Sequence, residues 1–432
     1  MSLDLNLVKE KLERKGFTEY ALTLIENNIE QIRFSQNLID LSNIWNEQRI
    51  NVFAANGNKV ATTIMRDMND DNIDKLWKAV NASPGDKLFS GLNTERQNYH
   101  GNNSKFFEYD LQDFSKSAIQ SALDSGAERV AGTAYNISTN VKSMTRYNEC
   151  EYKTGGIELN IRSFKGEFSG QEGIHWGLSS GVNKSSFERA GSESAGTAIA
   201  TGKKENINPG KYTVIMSPYV IGNIVSSSIG SLSYYAIEAG MSNFKDEMGN
   251  RVAGDQVSLI DDPLDSSGVG YRLADDECTG TRKNEIIKNG ILKTYLHSYS
   301  TATRSGTKTT GNAGIIKPTA WQPKLLPGID KLSDMIAGLK DGLLIENCWY
   351  TRFQDYKNGI FSTVPRDGVF LIHNGEINGN VAGIRISDSF RNILSNIEEV
   401  SSESKNAKWW QEVAATNMPY VKAKGVNISR AF

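Results

Sequence analysis

The chain has 432 residues, with 48 Lys and Arg against 50 Asp and Glu, and its two charge signs are interspersed. This balance offers no basic surface for phosphate groups, so direct binding to nucleic acid is not expected. No apolar run approaches the ~20 residues that cross a bilayer, and three distant cysteines form neither a disulfide framework nor a CxxC metal pair. Together with an N-terminus that is charged throughout and unlike a signal peptide, these features predict a cytoplasmic protein of two or three domains without membrane contact.

The first half of the chain, residues 1–205, is predicted to be an α+β region. An amphipathic helix opens it and ends at Gly16, and the turn pair Asn56-Gly57 joins two strands in a hairpin. A second helix follows Asp70-Asp71 and has apolar residues at spacings of three and four. Many folds contain such a layer, so this region alone does not indicate a function.

Residues 82–104 are rich in Asn, Gly and Ser and poor in apolar residues. This composition predicts a linker between two sub-units, at about 1–85 and 104–205. The second sub-unit is predicted to begin with a helix capped by Asp113 and to continue as strands. A lone histidine in its glycine-rich segment, His175, is interpreted as a turn residue or a hydrogen-bonded surface residue rather than a metal ligand.

The second half, residues 206–432, is predicted to be a strand-rich domain that forms a curled sheet or a partial barrel. Ser217-Pro218 is a favourable helix start and precedes a helix of pronounced apolar character. Beyond this central helix, short apolar segments are separated by turn pairs. These pairs are Asn289-Gly290, Asn358-Gly359, Asp367-Gly368 and Asn374-Gly375.

One ordered series of motifs lies between residues 270 and 314. It consists of Asp275-Asp276-Glu277, Thr281-Arg282-Lys283, Ile287-x-Asn289-Gly290-x-Leu292, Ala302 and Thr310-Gly311-Asn312-Ala313. The series resembles the signature of the TldD/PmbA family, called modulators of DNA gyrase or metalloproteases. Its closing TGNA is more similar to the PmbA (TldE) branch. Cys278 stands where the family usually has glycine.

The resemblance also implies where the zinc site of active family members would lie. Their HExxxH motif supplies two histidine ligands and a glutamate base, and it matches Ser226, Ser227 and Ser231 of this chain. The third ligand of the active branch is a cysteine near the C-terminus, and no cysteine follows Cys348. We therefore expect no catalytic residue, no metal ligand and no zinc in this chain. The three serines are interpreted as packing residues rather than as nucleophiles.

The acidic cluster Asp275-Asp276-Glu277 allows two interpretations. Its oxygen atoms could bind Ca²⁺ or Mg²⁺ if other ligands converged on them. The alternative, which we favour, is a solvated strand end paired with Arg282 and Lys283.

The resemblance thus implies a PmbA/TldE-like, non-catalytic subunit of a cytosolic TldD/TldE-type metalloprotease that acts on unfolded peptides. A TldD-like partner would bring the zinc. Two alternatives remain open: a self-sufficient hydrolase with an unidentified site, and a homodimeric peptide-binding module. We expect the chain alone to be a dimer that associates through its C-terminal domain.

Overall fold

The computed structural model describes residues 3–101, 108–179, 181–408 and 414–431. Two β-sheets with helices packed against them make up an α+β fold, which confirms the predicted fold class. The first sheet has seven strands: β1 (Glu19–Ser35), β2 (Leu38–Asn56), β3 (Lys59–Met65), β4 (Asn98–His100), β5 (Arg129–Thr145), β6 (Glu149–Lys165) and β7 (Phe168–Trp176). Their order is β3-β2-β1-β5-β6, and β4 and β7 share the outer edge of β6.

Strands from both expected sub-units pair within this sheet. β1 and β5 are antiparallel along a continuous register, from Ala21 opposite Thr145 to Phe34 opposite Gly132. The segments near 1–85 and 104–205 therefore contribute to one sheet. β4 lies within the segment expected to be a linker, whose residues 102–104 fall outside the described residues.

In the described part of this half of the chain there are four helices: α1 (Leu5–Lys15), α2 (Asp70–Ala82), α3 (Leu111–Asp124) and α4 (Lys184–Ile199). As predicted, α1 ends at Gly16, whose φ of 92° favours glycine. The predicted cap of α3 was wrong by one turn. Asp110 is the capping residue, and its carboxylate accepts the N–H of Asp113 at 2.9 Å.

The second sheet has twelve strands: β8 (Lys204–Glu205), β9 (Gly210–Met216), β10 (Leu259–Asp261), β11 (Asn284–Lys288), β12 (Ile291–Leu292), β13 (Pro323–Leu325), β14 (Asp341–Asp355), β15 (Ile360–His373), β16 (Glu376–Val381), β17 (Ile384–Ser389), β18 (Ile397–Ala407) and β19 (Thr416–Arg430). Five of them, β9, β14, β15, β17 and β19, each pair with two others of the five. These pairings curl the sheet round on itself, which confirms the predicted curled sheet or partial barrel.

Among the residues that the structure describes, five α-helices interrupt the second sheet: α5 (Pro218–Ser228), α6 (Tyr234–Glu238), α7 (Tyr299–Ser305), α8 (Leu332–Ala337) and α9 (Phe390–Ser395). The central helix α5 begins as predicted, because Ser217 accepts the N–H groups of Tyr219 and Val220. Every residue of α5 except Ser227 is buried, and the helix packs against β14 and β19. A helix buried all round its circumference is a core element.

The turn signals were correct with one exception. Asn289-Gly290 joins β11 to β12 with positive φ at both residues, as predicted. Asp367-Gly368 also has positive φ at both positions but lies inside β15, where the register with β14 shifts. It is an irregularity within a strand rather than a turn. Of the helices in the described ranges, none has the length and apolar character needed to cross a membrane.

Candidate functional site

Helix α5 carries the positions that the resemblance matches to a zinc motif. Ser226 is buried, and its hydroxyl donates to the carbonyl of Ala414 and accepts the N–H of the same residue, both at 2.9 Å. Ser227 is only partly buried. Ser231 lies beyond the end of α5, in a 3-10 helix (Ile229–Leu232), and donates to the carbonyl of Ser228 at 2.7 Å. Two of the three hydroxyls are therefore engaged with the backbone.

This set of donors does not fit zinc. Structural and catalytic zinc sites use thiolate, imidazole and carboxylate, whereas Ser226 and Ser231 offer neutral hydroxyls that already bond backbone groups. In the part of the chain that the structure describes, no three His, Cys, Asp or Glu side chains come together at a spacing that could hold a metal ion. We derive no metal-dependent step from this chain.

A cleft lies over one face of the first sheet, with a cavity of about 600 Å³. We call it the sheet cleft. Its floor is formed by β1, β2, β5, β6 and β7, and Trp349 of β14 and Lys408 close it. The lining residues are Ile29, Arg33, Phe34, Ser35, Trp45, Ala131, Gly132, Thr133, Tyr135, Ile137, Glu158, Asn160, Arg162, Phe164, Gln171, Trp349 and Lys408. Aromatic rings with a few polar groups are typical of a ligand site.

The charged groups of the sheet cleft are paired. Lys408 Nζ lies 2.6 Å from Glu158 Oε1, and Arg162 donates to Asp367 Oδ1 at 2.5 Å. Lys408 and Ala414, the partner of Ser226, are six residues apart in the sequence.

Behind the cleft, a second group of ionisable side chains joins the two sheets. Lys405 Nζ of β18 lies 2.9 Å from Glu172 Oε2 of β7 and 3.3 Å from Glu193 Oε2 of α4. Tyr219 of α5 donates to Glu172 Oε1. Burial opposes ionisation of Glu172, but Lys405 and Tyr219 outweigh it and hold the pKa of this carboxyl below its usual value.

A neighbouring carboxyl, Glu346 of β14, accepts a hydrogen bond from the hydroxyl of Tyr420 at 3.0 Å. Burial raises its pKa to about 7, and the nearby Glu172 and Glu193 add to the rise. The interface between the sheets therefore contains one carboxyl held ionised and another that titrates near neutrality. A perturbed pair of this kind suits proton transfer, but it is equally typical of a structural ion-pair network.

The acidic cluster of the signature is structural, and the predicted solvated strand end was wrong. Asp275 is fully buried and accepts the N–H groups of Glu277, Thr279 and Ala313 at 2.9–3.0 Å. Burial raises its pKa to about 7. Asp276 pairs with Arg272 rather than with the expected Arg282 and Lys283.

These contacts explain why the motifs form one ordered series. Asp275 ties the start of the signature to Ala313 in the TGNA segment, although 38 residues separate them. Cys278 has a φ of 55°, the left-handed conformation in which glycine is least strained, and this accounts for the glycine usual in the family.

The predicted location of His175 in a turn or at the surface was also wrong, although the residue is hydrogen-bonded as predicted. It lies within β7, is fully buried, and its Nε2 is 3.2 Å from Asn160 Oδ1. Burial lowers its pKa to about 4, so the ring is neutral at physiological pH.

Comparison with known proteins identifies the family. A family model described as the PmbA/TldA metallopeptidase C-terminal domain matches residues 209–430, slightly more than half of the chain. The chain belongs to the TldD/PmbA family. A metalloprotease of Methanocaldococcus jannaschii is 30% identical over 221 residues, which are 49% of this chain and 48% of that protein. A Haemophilus influenzae protein named metalloprotease PmbA homolog is 28% identical over 206 residues, 46% of this chain and 44% of that protein.

The chain thus matches about half the length of these relatives. The fold similarity extends further. The crystal structure of TldE from Thermococcus kodakarensis superposes with a TM-score of 0.81 over 98% of this chain and 99% of that chain, at 18% sequence identity. At this identity the comparison establishes the fold of the TldD/PmbA family member and leaves its activity to be argued from its own residues.

Proposed function

We propose that this TldD/PmbA family member is a PmbA/TldE-like, non-catalytic subunit of a cytosolic metalloprotease complex that acts on unfolded peptides. A TldD-like partner supplies the zinc and the general base. The present chain helps to enclose the substrate. The same fold in a second copy would make a homodimeric peptide-binding module, which is the competing assignment.

The observation that carries this proposal is the bonding of Ser226. The hydroxyl at the position matched to the first histidine holds both backbone groups of Ala414, and a buried side chain with this role is not available to a metal. The neighbouring position, Ser227, carries no carboxylate that could act as a base.

The sheet cleft supports a role in peptide binding. Its aromatic side chains, among them Trp45 and Trp349, offer apolar contacts to the exposed side chains of an unfolded chain. Backbone groups of an extended peptide can also pair with strand edges, a mode that is tolerant of sequence. Unfolded rather than folded substrates suit a cavity of about 600 Å³.

The proposal is tested by reconstitution. We expect the purified chain to contain no stoichiometric zinc by elemental analysis and to leave a fluorogenic unfolded peptide intact. A native pull-down is expected to recover a protein with HExxxH, and adding it should give cleavage that a chelator abolishes. About one tightly held zinc per isolated chain, or chelator-sensitive cleavage by that chain alone, contradicts the assignment.

A variant pair then tests the sheet cleft. Trp45→Ala removes an aromatic wall and is expected to weaken peptide binding to the chain by at least threefold in fluorescence anisotropy. Tyr356→Ala removes an exposed ring outside the cleft and is the matched control. Equal binding by the two variants contradicts peptide binding in this cleft, and a dimer without any HExxxH partner favours the peptide-binding module.

A further inference from the structure

A second cavity, of about 140 Å³, lies where the first sheet meets the signature region. We call it the Glu277 cavity. β1, β2 and β3 form one wall, the segment 86–92 forms another, and Glu277, the start of α7 and residues 314–318 complete it. Its volume is close to that of engineered cavities of about 150 Å³ that bind benzene. It therefore has room for one small group but not for a folded segment.

The lining contains two kinds of side chain. Some residues are apolar, and others are ionisable. The apolar ones include Phe53, Leu92 and Ile316, and the ionisable ones are Asp86, Asp276, Glu277 and Arg304. One oxygen of Glu277 accepts the N–H of Tyr299 at 2.9 Å. The lining thus combines apolar side chains with carboxyl groups, a combination that suits a short aliphatic chain with a positively charged end.

No Lys or Arg of the described residues forms an ion pair with Glu277, whereas two other charged residues of the lining, Arg304 and Asp276, are paired. Arg304, which also lines the cavity, is held by Glu238 through two hydrogen bonds of 2.9 and 2.5 Å. Asp276 is paired with Arg272. Among the described residues, Glu277 and Asp86 are the carboxyl groups of this lining for which no ion pair is formed.

The field around Glu277 is also negative. Burial raises the pKa of Glu277 well above its usual value, and the carboxylates of Asp275, Asp276 and Glu19 raise it further, so the protein alone favours the neutral form of this carboxyl. A ligand cation placed beside Glu277 favours the carboxylate instead, and the surrounding acidic groups favour that cation over an anion. Because the described residues bring no three metal-ligating side chains together, an organic cation fits better than a metal ion.

We propose that the Glu277 cavity binds an alkylammonium group of the length of a lysine side chain, with the aliphatic part against Phe53, Leu92 and Ile316 and the ammonium on Glu277. The ligand is a free primary amine or the lysine of a peptide. This inference does not depend on the proposed protease role.

Titration of the full chain with n-butylammonium chloride, followed by isothermal calorimetry, tests the proposal. We expect millimolar or tighter binding and at least tenfold weaker binding of 1-butanol, which has the same chain without the charge. Glu277→Gln keeps the acceptor for Tyr299 but removes the charge, and it is expected to abolish the preference. Glu376→Gln, at an exposed position of β16, is the control and should bind like the unmodified chain.

Failure of butylammonium to bind, equal binding of butanol, or an unchanged preference in Glu277→Gln overturns the proposal. If Glu277→Gln does not fold, Ala21→Leu replaces it, because the added isopropyl group fills the cavity from β1. Retained binding in that variant overturns the assignment to this cavity. Nα-acetyl-lysine methylamide distinguishes the two sources: its binding identifies a peptide lysine, and binding of butylammonium alone identifies a free amine.

Discussion

Ser226 and Ala414 are held together by two hydrogen bonds of 2.9 Å, in which one hydroxyl serves both backbone groups of its partner. The residues lie 188 positions apart. The contact fastens α5 to the segment that precedes β19. A position where the family resemblance implies a zinc ligand is used in this chain to join two parts of the C-terminal domain.

Replacing this hydroxyl tests its structural role. Ser226→Ala leaves the buried N–H and C=O of Ala414 without their partner, and we expect a loss of about 1–3 kcal/mol in the free energy of unfolding. Urea denaturation measures it. Ser227→Ala, at the one position of α5 that is not fully buried, is the control and should change stability by less than about 0.5 kcal/mol. Equal effects of the two variants would show that the Ser226 contact is dispensable.

Restoring the family motif should not restore activity. The triple variant Ser226→His, Ser227→Glu and Ser231→His offers two imidazoles, one ligand fewer than catalytic zinc usually requires. An imidazole at the buried Ser226 must also displace Ala414, at a cost of about 1–3 kcal/mol for overpacking. We expect no peptidase activity at any zinc concentration in a fluorogenic peptide assay. Cleavage that rises with added zinc would instead identify a recently disarmed protease.

Local signals in the sequence predicted most of the elements correctly. Three of these signals depend only on the local backbone conformation, so they are reliable in any tertiary context. They are Gly16, Ser217-Pro218 and Asn289-Gly290. Asp367-Gly368 shows the limit of such signals. The pair has the positive φ values that the sequence predicted. It lies inside β15 rather than in a turn because the flanking residues pair with β14, and a local sequence pattern does not show that pairing.

The site was less predictable because its parts are distant in sequence. Lys405 and Glu172 meet across 233 positions, and the sheet cleft draws residues from six strands. The register that brings these residues together depends on pairings between β1, β5 and β6 that no local pattern specifies. The prediction for the acidic cluster was wrong for the same reason. The buried Asp275 accepts a hydrogen bond from Ala313, which is distant in the sequence.

Asp367 is predicted to be among the more sensitive positions between the two sheets. Its side chain is fully buried, and it accepts from Arg162 at 2.5 Å and from Ser169 at 2.6 Å. Asp367→Asn leaves the partly buried guanidinium of Arg162 without its counter-charge, and we expect the free energy of unfolding to fall by about 3 kcal/mol. The free energy of unfolding, measured in guanidinium chloride, checks it.

The control for this change is an ion pair on the surface nearby. Glu167 pairs with Lys204 where both side chains are more than half exposed, so Glu167→Gln should cost no more than about 0.5 kcal/mol. If Asp367→Asn is equally mild, the contact with Arg162 does not hold the sheets together.

We predict that the stability of the protein depends on pH through Glu346. Burial raises its pKa to about 7 in the folded state, Glu172 and Glu193 contribute to the rise, and Tyr420 and Lys405 oppose it. The unfolded chain titrates near the ordinary value of 4.5, so between about pH 4.5 and 7 the folded state binds more protons. The contribution of this carboxyl to stability is therefore present below 4.5 and is lost as the pH rises through 7.

Glu346→Gln keeps an acceptor for Tyr420 but cannot ionise. Relative to the unmodified chain, the variant should gain about 1–3 kcal/mol in unfolding free energy between pH 5 and pH 8, measured by urea denaturation at both values. Glu403→Gln, at an exposed position of β18, is the control and should show no such difference, because this side chain is exposed to solvent in the folded protein. A variant that gains nothing at pH 8 would mean that Glu346 stays ionised in the folded protein. Lys405 would then dominate its surroundings, and the interface between the sheets would lack a group that titrates near neutrality.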